Sequence, residues 1–87
     1  MDPVVNELRE QIVAVDETIV ATVNRRLELV AELKRHKDEH GISFVDATRE
    51  RWLLDHLSAA NTGPLSDEGL RALYAELLAL MKRELDA

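Results

Sequence analysis

Apolar residues recur along the first forty positions at mostly three- and four-residue steps: Leu8, Ile12, Val15, Ile19, Val23, Val30 and Leu33. That spacing predicts one amphipathic helix. Asp2 suits an N-cap and Pro3 a first helical position, no glycine or proline falls between Val4 and His40, and Gly41 supplies the stop. A helix of about 37 residues extends ~55 Å, whereas a globule of this chain length has a radius of gyration near ~12 Å. The helix overshoots its own domain. Its apolar stripe therefore needs a second body to cover it, most simply another copy of the chain.

Gly41 to Val45 reads as a short loop carrying Phe44, and Asp46 as the N-cap of a second helix with Leu53, Leu54, Leu57 and Ala60 on its buried side. Asn61-Thr62-Gly63-Pro64 ends that helix, with glycine at its C-terminus and proline following. Ser66 caps a third helix with Asp67 and Glu68 in its first turn. Its apolar face runs Leu70, Leu73, Tyr74, Leu77, Leu80 or Met81, and Leu85. The expected fold class is all-α, with three helices (long, short, medium) in a single domain over residues 1–87.

Composition narrows the function. The chain is 87 residues long, 46% hydrophobic but only 3% aromatic, which suits packed helices better than a β-sandwich. Seventeen acids against 11 bases leave a net charge of -6, which argues against a nucleic-acid partner. The apolar runs are far shorter than the roughly 20 residues of a membrane span, and the N-terminus lacks the basic and apolar regions of a signal peptide. A cytoplasmic location is expected. With no cysteine, neither a disulfide nor a thiolate metal site is available. His36, His40 and His56 lack ligand spacing and read as solvated, Trp52 and Tyr74 fit helix-packing positions, and no metal or cofactor is expected.

The informative residues break the apolar pattern. Arg26 and Lys37 fall on the stripe of the first helix, eleven residues and ~16 Å apart and nearly aligned. A buried unpaired charge costs several kcal/mol, so each base needs an acidic neighbour or an anionic ligand. The structural solution pairs Arg26 with Glu50 or Asp46 and lets Lys37 snorkel. The functional one adds Arg49 and Glu50 in the first turn of the second helix, where a cation opposes the helix dipole. Arg9 lies about 100° around the helix and ~25 Å from Arg26, so it cannot serve the Arg26 pocket of its own chain; read alone it is a surface base, and in a dimer of long antiparallel helices it could reach the partner's pocket. A cation-rich, partly apolar pocket with no nucleophile suits a small dicarboxylate, held in one conformer while developing charge is stabilised.

Taken in order, Leu8-Arg9 with Ile12 and Asp16, Arg26, Lys37, Asp46-Ala47-Thr48-Arg49-Glu50 and Asn61-Thr62-Gly63-Pro64-Leu65 leading to Tyr74 resemble the all-helical chorismate mutase family over essentially the whole chain. The resemblance implies an intertwined homodimer with two shared active sites and the Claisen rearrangement of chorismate to prephenate, in phenylalanine and tyrosine biosynthesis. By position, Arg9 of one copy and Arg26 of the other would hold the substrate carboxylates, and Lys37 would sit by the ether oxygen. Glu50 with Asp46 would bind the ring hydroxyl, and Arg49 would support the pocket. The family commonly places a small polar residue and, four residues later, glutamine or glutamate near the end of the third helix. Met81 and Leu85 stand there instead, with Glu84 as the nearest substitute. Reduced activity is expected. Two other readings follow: a mutase for an amino analogue of chorismate, and a regulatory module that binds chorismate or prephenate and acts on a shikimate-pathway synthase.

Overall fold

The computed structural model describes residues 2–86, and all their regular structure is helical: α1 (Pro3–Glu39), α2 (Ala47–Ala60) and α3 (Asp67–Asp86). The long, short, medium order is as the periodicity predicts. Each start has the expected cap. Asp2 Oδ1 accepts from the Val4 amide at 2.9 Å, Asp46 Oδ1 from Arg49 at 3.0 Å and Ser66 Oγ from Gly69 at 3.0 Å. These bonds satisfy amides that have no partner within their helix.

The chain falls into two compact units, Met1–Leu33 and Lys34–Ala87. The first unit is helical from Pro3 onward and leaves its apolar stripe in solvent: Leu8, Ile12, Val15 and Ile19 are each more than half exposed. Covering such a side chain gains about 1.5–3 kcal/mol.

In the second unit α2 packs against α3. Ser58, near the end of α2, donates to Asp67 at the start of α3, while Glu50 at the start of α2 pairs with Lys82 near the end of α3. The two helices therefore run antiparallel. Leu70 and Met81 of α3 are the buried apolar residues, with Leu53, Leu54 and Leu57 of α2 and Leu77 of α3 half-buried beside them. The choice between Leu80 and Met81 resolves to Met81, and Leu73 and Ala60, expected on apolar faces, are exposed.

The ends of the helices differ in how they stop. After α1, Gly41 takes a positive φ of 66°, which a side chain disfavours. After α2 the expected glycine stop does not form. Asn61 caps instead from extended backbone, its amide reaching Leu57 O and Ser58 O, and its side chain bridges Leu65 O at 2.8 Å and the Gly63 amide at 3.2 Å. One asparagine thus organises the whole connection. Gly63 needs no special φ, and a Cβ there would meet nothing closer than Asn61 Oδ1 at 3.9 Å.

The polar seam between α2 and α3 centres on Asp67. It accepts from Ser58 and from Arg71 Nε at 3.0 Å, and Arg71 also donates to Asp55 at 3.1 Å. The Ser58 hydrogen bond first, then Arg71, holds the Asp67 carboxyl below its ordinary value, and Asp67 in turn raises Arg71.

Two outcomes follow for stability. Gly41→Ala should destabilise the protein by about 1–2 kcal/mol in urea unfolding, whereas Gly63→Ala should be close to neutral; equal effects would refute the conformational distinction. Because the folded Asp67 carboxyl titrates lower than the unfolded one, its stabilisation is present above the unfolded pKa and lost as pH falls through the folded one. Asp67→Asn should therefore lower the urea midpoint at neutral pH and lose its effect in acid, below the carboxylate range.

Candidate active site

The most informative junction lies within the second unit, where the end of α1 passes through residues 40–46 into α2. Lys37 is half-buried and its Nζ donates to the Phe44 carbonyl at 3.3 Å, while the Ile42 amide bonds back to Lys37 O at 2.8 Å. Lys34 adds a clamp, its Nζ 5.7 Å from the centre of the Phe44 ring and 3.2 Å from Asp38. The loop is thus bound to the last turns of α1 through both the carbonyl and the ring of Phe44. That brings the Lys37 ammonium to a carbonyl only two residues before Asp46.

Asp46 opens α2 in extended conformation, with φ -132° and ψ 95°. Its side chain takes the Arg49 amide and its carbonyl takes the Glu50 amide at 3.0 Å, so the cap fixes where both side chains leave the backbone. Glu50 turns inward and is half-buried, with Oε1 2.7 Å from Lys82 Nζ. Glu50 thus finds its ion pair on α3, where the structural reading of the sequence offered Arg26.

Arg49 is exposed and lies over an aromatic ring, its guanidinium carbon 4.0 Å from the Trp52 centroid. Trp52 in turn stacks on His56 at 4.7 Å with a 9° interplanar angle. At 47% exposure Trp52 does not fill the helix-packing position expected of it. Positions 49, 52 and 56 share the outer side of α2 at three- and four-residue spacing, and the stack turns that side into a ledge holding Arg49 extended. The three histidines are exposed, as expected, although His36 and His40 stack at 4.2 Å.

The remaining candidates divide between the units. Arg9, exposed, and Arg26, half-buried, belong to α1 in the first unit. Lys37, in the last turn of α1, and Asp46, Arg49 and Glu50, at the start of α2, flank the loop–helix junction of the second. Glu84 does not join them. It is exposed, and two residues beyond Lys82 it points about 200° around α3 from the side that meets Glu50. Met81, at 3% exposure, is buried and has no hydrogen-bond donor to offer. Lys82 is the site neighbour that sequence reasoning missed. Its signal was the short α2–α3 connection, which makes the helices antiparallel and sets the end of the third beside the start of the second. Among the described residues no cluster of His, Asp and Glu has the geometry of a metal site, and no helix is long and apolar enough to cross a membrane.

Similarity to known proteins runs along the same elements. Residues 8–84 match the family described as Chorismate mutase type II. The chain is 31% identical over 78 residues to the bifunctional chorismate mutase/prephenate dehydratase of Stutzerimonas stutzeri, an alignment covering 83% of this chain and 21% of that much longer protein. Two solved structures of chorismate mutase from Thermus thermophilus superpose closely. Form II gives a TM-score of 0.90 at 30% identity, over 94% of this chain and 93% of that one. Form I gives 0.86 at 32% identity, over 88% and 96%. The agreement takes in the long first helix, the capped loop and the α2–α3 pair alike, and the chain belongs to the chorismate mutase type II family.

Proposed function

We propose that residues 1–87 form one mutase domain that rearranges chorismate to prephenate, working as a homodimer with two sites, each built from both copies. The observation that carries this reading is the junction flanked by Lys37, Asp46, Arg49 and Glu50, in a chain that matches the family on either side of it. The exposed stripe of α1 supports the dimer, because Leu8, Ile12, Val15 and Ile19 need a cover that a second copy can supply.

The reaction is intramolecular: one C–O bond breaks as one C–C bond forms, and negative charge grows on the ether oxygen. No nucleophile, metal or cofactor is required. Arg26 and Arg9 of the second copy hold the two carboxylates by paired, charge-assisted bonds and impose the compact conformer in which the reacting carbons meet. Lys37, fixed by its bond to Phe44 O, presents its ammonium to the ether oxygen. Glu50, with Asp46 behind it, accepts from the ring hydroxyl, and Arg49 closes the pocket from its aromatic ledge.

The end of α3 supports a slower reaction. Met81 is sealed and Leu85 is apolar, so neither gives the ether oxygen a hydrogen bond, and losing one such bond costs about 2.7–4 kcal/mol.

Chorismate consumption followed by its ultraviolet absorbance, with prephenate identified directly, tests the reading. Saturable turnover is expected, and Arg26→Ala should lower it by about 10²–10³-fold with helical content retained. Wild-type turnover in that variant would remove Arg26 from the site. No turnover by the chain, alone or with a shikimate-pathway synthase added, would sink the mutase assignment; turnover only with the synthase would favour the regulatory reading.

Co-expressed Arg9→Ala and Arg26→Ala chains test the sharing of sites. Each mixed dimer should carry one intact site, so activity should rise in the mixture well above that of either strongly impaired single variant. Failure to recover, with dimers present by light scattering, would confine each site to one chain.

A further inference from the structure

Lys82 lies outside every role assigned so far, yet its Nζ makes the shortest ion pair measured among the described residues, 2.7 Å to Glu50 Oε1. The two side chains are 37% and 32% exposed, sheltered enough to be held and open enough to be reached. The base sits on firm ground. Met81, its neighbour in sequence, is buried, and Leu78 and Leu85, one helical turn before and after, are half-buried. The direction of Lys82 is therefore set by the packing of α3 on α2. The pair also joins one end of α2 to α3, while the Asp55–Arg71–Asp67–Ser58 network joins the other.

We propose that Lys82 is a positioning residue of the mutase site, holding the Glu50 carboxylate in the orientation that accepts the substrate's ring hydroxyl. The role rests on the mutase reading above. Two physical arguments carry it. A glutamate side chain at a pocket edge has several rotamers, and fixing one in advance removes an ordering cost from substrate binding. Lys82 occupies Oε1 and leaves Oε2 free to accept, since an ionised carboxylate has lone pairs for about four bonds. The second argument is charge. The substrate is a dianion, and an uncompensated carboxylate in its pocket would repel it. Lys82 neutralises Glu50 without consuming its capacity to accept a hydrogen bond.

A surface clamp between helices makes a different prediction. Exposed ion pairs add little to folding stability, so a clamp would show in unfolding or not at all. The test compares wild type, Lys82→Met, Lys82→Arg, Glu50→Gln and the Glu50→Gln/Lys82→Met double variant in steady-state chorismate turnover and thermal unfolding. The hydroxyl contact exists in bound substrate and transition state alike, so Lys82→Met should raise KM about tenfold and change kcat by less than about twofold. Its melting temperature should stay near wild type. Lys82→Arg, which keeps the charge, should return KM to within about threefold, and Lys82→Met should add nothing in the Glu50→Gln background.

Wild-type KM in Lys82→Met would overturn the role, as would a KM effect that persists undiminished without Glu50, or a loss that follows only a fall in melting temperature. A wild-type chain with no turnover would instead overturn the mutase reading and this role with it, so the two failures are distinct.

Discussion

An apolar stripe along a 37-residue helix is the constraint from which the rest follows. Leu8, Ile12, Val15 and Ile19 stand more than half exposed, and α1 buries no residue among those described. Among the described residues only Leu70 and Met81 are buried, which leaves little internal core to stabilise so short a chain. The proposed second copy resolves stability and function together. The helix that this copy would cover carries Arg9 and Arg26, so in the proposed dimer the burial that stabilises the fold would also complete the cationic site. On this account assembly and activity share one interface, and a weakened stripe would lose both.

The sequence made the element boundaries legible because caps are local chemistry. Asp2, Asp46 and Ser66 each accept the amide of the helix's second or third residue, as their side chains dictate, and Gly41 takes the positive φ that ends α1. The end of α2 was less legible. Glycine and asparagine can both stop a helix, and here Asn61 does so through its backbone amide and its side-chain bridge while Gly63 stays out of the left-handed region. Trp52 was misread for a related reason. Its spacing fits a packing face, but Arg49 before it and His56 after it offer a stack that satisfies the ring outside the core. Periodicity also left Leu80 and Met81 equivalent, since a 3.6-residue repeat does not separate neighbouring positions; packing on α2 selected Met81.

The candidate site divides along the same line between local and tertiary chemistry. Lys37, Asp46, Arg49 and Glu50 lie close in sequence around one loop, which is tied to Lys37 at one end and capped by Asp46 at the other. Lys82 is more than thirty residues beyond Glu50, and its partner depends on the register of two antiparallel helices, which no single-helix pattern contains. Glu84 fails for the same geometric reason. Two residues from Lys82 on a helix is about 200°, so α3 turns Glu84 away when it turns Lys82 toward Glu50.

On the proposed reading, the distribution of charge within that junction is what would let a site in an acidic chain receive a dianion. At a net charge of -6, the protein as a whole repels such a ligand, but at physiological salt that repulsion is screened within about 8 Å, and the local arrangement decides. Lys37 is held by a neutral carbonyl, so its position is fixed while its charge remains uncompensated by any carboxylate among the described residues. Glu50, the carboxylate best placed to quench a nearby cation, is already occupied by Lys82. Arg49 rests on the face of Trp52, an interaction that orients a guanidinium without neutralising it. Lys37, Arg49 and Lys82 are thereby anchored by three different kinds of partner, and of these three the one paired with an acid, Lys82, is the one that the proposed site does not set against the substrate's own negative charge.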